Sequence, residues 1–172
     1  MEAKIRREQS NLFYSGLAVI VFGVWGAFKN VIYYYLHPEF LDLQSALKEL
    51  PEDVDPNLVL ILVLIFVALM DFLIRYLIGR GAIRESRRTL SKRKNGYRVL
   101  AILYLLFDVF SYAHAVREVF AATSIEKLLA SYDINNHFIM LIIEITSCWA
   151  MIGLIVASFK LRRYERNIEV VI

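Results

Sequence analysis

Four apolar runs of roughly membrane-spanning length limit this 172-residue chain more than any other feature. They cover residues 12–36, 57–79, 97–117 and 137–159. Each is long enough, at about 1.5 Å per helical residue, to cross about 30 Å of hydrocarbon. Open strands are excluded at that depth, because each unpaired backbone group in lipid costs several kcal/mol. The expected fold is therefore all-α: a polytopic membrane protein with a four-transmembrane-helix bundle, forming a single membrane domain over 1–172. Composition agrees, since 58% of the chain is hydrophobic and only 22% charged. The polar stretch 1–11 before the first run resembles the start of a signal peptide. The apolar run after it is too long and has no small-residue cleavage site, so it reads as a retained span.

The small net charge of +3 hides an uneven distribution. The segment 80–98 carries Arg80, Arg84, Arg87, Arg88, Lys92, Arg93, Lys94 and Arg98 against the single acid Glu85. Lys4, Arg6 and Arg7 precede the first run, and Lys160, Arg162, Arg163 and Arg166 follow the last. The segments 37–56 and 118–136 contain only Lys48 and Lys127. Because Lys and Arg stay on the cytoplasmic side, both termini and the loop 80–98 are expected in the cytoplasm, in the cell membrane. That loop would also meet anionic lipid headgroups. It has no interleaved aromatic residues for base stacking, so no nucleic-acid partner is expected.

The two outer loops follow a common plan. In 37–56, Phe40, Leu43, Leu47 and Leu50 recur at helical spacing after Pro38. In 118–136, Thr123 and Glu126 form a capping-box pattern ahead of Ile125, Leu128 and Leu129. Each loop is expected to carry a short amphipathic helix at the membrane surface. In the first span Gly23 and Ala27 are four apart, a spacing that lets helices approach closely within the bundle or across a homodimer seam. Tyr33, Tyr34 and Tyr35 read as an interfacial aromatic belt.

Charges inside the spans are the candidate functional residues. A charged side chain near the bilayer centre costs about 2.5–3.5 kcal/mol on insertion scales, so each needs a partner, water or neutralisation. Asp71 and Arg75 share a helix face and can pair locally. Asp108 has no basic residue three or four positions away, which makes it the leading candidate for a protonatable group. Glu144 lies at a depth comparable to Lys29 and seven residues after His137. His114 and Glu118 are four apart, with Arg117 beside them. These groups could line an ion or proton path, or simply pair to fix helix register. His37, His114 and His137 all fall near outer span ends, and with Glu118 they could ligate a metal or haem. Their spacing matches no strong ligand motif, so no cofactor is expected.

No P-loop, dinucleotide fingerprint, H-E-x-x-H or G-x-S-x-G occurs. The single cysteine, Cys148, excludes an intrachain disulfide and reads as a small apolar residue. The expected function is a non-enzymatic accessory, regulatory or assembly subunit of a membrane complex, partnered by another membrane protein or a second copy. The rival is a small oligomeric proton- or ion-coupled transporter or channel, and the third possibility is a metal- or haem-bearing membrane redox protein.

Overall fold

A computed structural model describes residues 2–36, 55–87, 96–122 and 134–169. Within them, positions 30, 33–36, 112, 114–116, 118–122, 134–141, 165 and 168–169 are described by backbone alone. The described residues form four helices: α1 Glu2–Leu36, α2 Pro56–Ser86, α3 Gly96–Ala122 and α4 Ile134–Glu169. Three stretches, Glu2–Lys29, Pro56–Ser86 and Ile142–Tyr164, are long and apolar enough to cross a membrane. Most of the two expected surface helices, in 37–56 and 118–136, lies outside the described residues.

All four helices outlast the apolar runs. α1 begins at Glu2, ten residues before the first run, and α4 continues ten residues past the fourth to Glu169. The helices run into the segment expected to link the second and third spans: residues 80–86 continue α2, and 96–98 open α3. The reason is local. Leaving the hydrocarbon does not stop a helix whose next residues, such as Arg80, Arg84 and Glu85, are good helix formers. At the start of α2 the signals are clear. Asp55 Oδ1 accepts a hydrogen bond from the Asn57 amide at 2.9 Å, capping the helix, and Pro56 occupies the first helical position.

The buried faces invert the pattern of a soluble bundle. On α4 the buried residues Glu144, Ser147, Met151, Leu154, Ser158 and Leu161 alternate at spacings of three and four. On α1 the stripe is Glu8, Leu12, Gly16, Val19, Gly23 and Gly26. On α3 it is Arg98, Ala101, Tyr104 and Asp108. Many inward positions are small or polar, whereas Leu106, Phe107, Phe110 and Trp149 point outward. Lipid tails are as apolar as a core, so close approach and polar contacts, not hydrophobicity, select the inner face.

The chain divides into two compact units, one of Met1–Val19 with Ile78–Ile172, the other Ile20–Leu77. In the first, small residues set the packing. A Cβ on Gly16 would lie 2.9 Å from the Gly79 carbonyl oxygen and 3.0 Å from Ala82 Cβ. One on Gly153 would lie 3.3 Å from Ser15 Oγ. Arg87, just past α2, sits 5.4 Å from the Phe13 ring centroid on α1. Leu12, Val19, Ile78, Met151, Leu154 and Leu161 are all but fully enclosed.

In the second unit α1 again meets α2 through glycine. A Cβ on Gly23 would lie 3.0 Å from Arg75 Cβ and 3.5 Å from the Phe72 ring. One on Gly26 would lie 3.7 Å from Asp71 Oδ2. Leu60, Leu64 and Ala68 complete the buried face of α2. The small-residue seam thus runs through Gly23 and Gly26, while Ala27 is half-buried beside an apolar groove formed with Val24, Phe28, Ile65, Leu69 and Phe72.

Candidate functional site

The most elaborate polar arrangement among the described residues joins the end of α2, the start of α3 and the last third of α4. Glu85 and Arg98 form a salt bridge, with side chains 4% and 6% exposed. Arg162 of α4 approaches the same carboxylate oxygen at 3.9 Å. Tyr97 and Ser158 share a hydrogen bond at 2.8 Å between their hydroxyls, and Arg98 Nε donates to the Tyr97 oxygen at 3.4 Å. The Arg98 guanidinium also lies 5.8 Å from the Tyr97 ring centroid and 5.9 Å from that of Phe159.

Each part of this network depends on a local feature. α2 must continue past the apolar run to carry Glu85, and Ser86 Oγ bonds the Ile83 carbonyl at 2.8 Å in its last turn. α3 must start at Gly96 so that Tyr97 and Arg98 are already helical. Gly81 must have no side chain, because a Cβ there would lie 2.5 Å from Tyr97 Cβ. Removing two charges from water costs several kcal/mol per ion, and it is offset only when hydrogen bonds surround the pair. Here the Tyr97 hydroxyl accepts a hydrogen bond from Arg98, the two rings lie against its guanidinium, and Arg162 brings a second cation to 3.9 Å from Glu85. Chemically the arrangement has no exposed nucleophile beside a base; it is suited to fastening helices.

In the second unit, Arg75 Nε lies 3.4 Å from Asp71 Oδ2, one turn away on the same helix. Arg75 is 6% exposed and Asp71 21%. Lys29, in the same unit, is half-buried on α1 and makes an interaction of its own.

Asp108 and Glu144 both belong to the first unit, on the inward faces of α3 and α4, and each is 8% exposed. Neither stands alone: both interact with other groups. Ser147 and Cys148, one turn below Glu144, do so as well. Arg117 is exposed on α3. His114 and Glu118 fall on α3 and His137 on α4, at positions described by backbone alone; His37 lies outside the described residues. Among the described residues no three His, Cys, Asp or Glu side chains gather as a metal site would require.

Sequence reasoning passed over the Glu85–Arg98 network. It counted Arg98 as one of many topology-setting charges and Glu85 as a lone acid among them. A signal was present, since a single acid amid eight basic residues is the one anion available for pairing. The partner could not be read, because thirteen residues separate the pair and the two lie on different helices.

Comparison of the chain with family models, with curated proteins and with solved structures returned no significant match.

Proposed function

We propose that this chain is a four-span integral membrane protein with cytoplasmic termini, acting as a non-enzymatic accessory, regulatory or assembly subunit of a membrane complex. α3 supplies the fourth span: its 27 residues extend about 40 Å, and Leu103, Leu106, Phe107, Val109 and Phe110 face outward. The basic residues of 80–98 and of the two terminal segments set the orientation. Lipid, or a partner's membrane helices, covers side chains such as Phe110 and Trp149, which are 73% and 74% exposed.

The observation that carries the functional reading is the buried Glu85–Arg98 network. Its charges are tied to neighbouring side chains, as expected of a rigid helix clamp and not of a hydrated path. Purification in mild detergent from native membranes tests the reading. The expected result is a second membrane protein in fixed stoichiometry that remains through size exclusion. A homogeneous, functionally competent homo-oligomer would overturn it.

A second reading rests on the burial of Asp108 and Glu144 in one unit. Buried carboxylates within spans are the usual carriers in proton-coupled transport. On that reading Asp108 exchanges a proton during turnover, and Asp108→Asn abolishes coupled flux without unfolding the protein.

A further inference from the structure

A groove of about 310 Å³ opens in the first unit between α1 and α4. Glu8, Asn11, Tyr14 and Ser15 line one wall, and Gly153, Val156, Ala157 and Lys160 the other. Its size falls at the small end of the range for small-ligand sites, about 300–1,000 Å³.

The groove is graded along its length. α1 and α4 run antiparallel here: Ser15 lies beside Gly153, and Glu8 before the one and Lys160 after the other line the same groove. Seven residues from that rung, about 10 Å along each helix, lie Glu8 on α1 and Lys160 on α4. The Gly153 end is framed by Val156, Ala157 and the Tyr14 ring, and the other end by a carboxylate, an amide and an amine. Glu8 is buried, 9% exposed, although it precedes the first apolar run. Asn11 Nδ2 donates to Glu8 Oε2 at 3.3 Å, which leaves the amide oxygen free to accept. Among the described residues Glu8 has no cationic partner. An enclosed anion and a lysine on facing walls complement a ligand that is positive at one point and negative at another.

The position of the groove selects the class of ligand. Glu8 lies four residues before the first apolar run and Lys160 one residue after the fourth. On the membrane reading above, on which this inference rests, both stand at headgroup depth. We propose that the groove binds the headgroup of a zwitterionic phospholipid bearing a primary ammonium, a phosphatidylethanolamine. Its ammonium donates to Glu8 and to the Asn11 amide oxygen. Its phosphate meets Lys160, and an acyl chain leaves past Val156 and Tyr14. A quaternary headgroup cannot donate those hydrogen bonds, and an anionic headgroup is repelled by Glu8.

The test uses the full chain. Alkaline carbonate washing of membranes comes first, and the chain is expected to stay in the pellet; its release would overturn the membrane reading and the lipid site together. Protein purified in mild detergent is then titrated with dioleoyl phosphatidylethanolamine, phosphatidylcholine and phosphatidylglycerol, and bound lipid is read by native mass spectrometry. Phosphatidylethanolamine is expected to bind about tenfold better than either, roughly the effect of one charge-assisted hydrogen bond. Glu8→Gln should remove its advantage over phosphatidylcholine. Lys160→Gln should weaken all three lipids, and Val156→Trp, at an exposed position, should exclude them. Equal binding of the three lipids by the pelleted wild type would overturn the lipid site while leaving the membrane reading standing. Unchanged binding in both Lys160→Gln and Val156→Trp would do the same.

Discussion

The two units solve the problem of a buried arginine in different ways. In one, Arg75 is answered by Asp71 a single turn away on its own helix. In the other, Arg98 is answered by Glu85 on a different helix, with Tyr97, Phe159 and Arg162 gathered around it. An ion pair within one helix neutralises charge but does not of itself fasten that helix to another, although Asp71 and Arg75 each make further interactions. A pair between helices does both, and its loss should loosen the packing of the helices it joins.

The largest predicted effect comes from Glu85→Gln. It strands Arg98 in an enclosed site, and breaking a buried pair in this way costs about 3–5 kcal/mol. Reversible unfolding in mixed micelles should register that loss. A cost below that of Asp71→Asn would break the comparison. Next is Gly81→Val, whose Cβ would meet Tyr97 2.5 Å away. Forced separation of α2 from α3 should cost about 1–3 kcal/mol, and a thermal midpoint equal to wild type would show that the close approach is dispensable. Asp71→Asn should cost less, about 1–3 kcal/mol, because Asp71 answers one arginine here while Glu85 lies against two. Tyr97→Phe removes a hydroxyl that touches both Ser158 and Arg98. It should cost about 1 kcal/mol and should become nearly silent once Glu85 is already Gln, if the hydroxyl acts through the network.

The same contrast explains what could be read from the sequence. Asp71 and Arg75 were legible because four-residue spacing on a helix is a geometric statement. The apolar runs announced the helices but not their ends, since leaving the hydrocarbon imposes no stop on a chain of good helix formers. Glu85 and Arg98 were hidden for that reason. Read as loop, residues 80–86 have no fixed facing; as the end of α2, they place the acid inward. The inner faces were hard to find by hydrophobicity because both sides of each span are apolar. The glycines carry that information instead, as Gly16 and Gly23 do on α1. Glu8 was obscured by its position in a polar segment that gave no reason to expect burial.

On the proposed function, the buried charges hold the protein together and do not carry ions through it. Dissipation of an imposed pH gradient in proteoliposomes, wild type beside Asp108→Asn, tests this most directly. Both are expected to hold the gradient as well as protein-free vesicles. Dissipation by the wild type that disappears in a folded Asp108→Asn variant would contradict it.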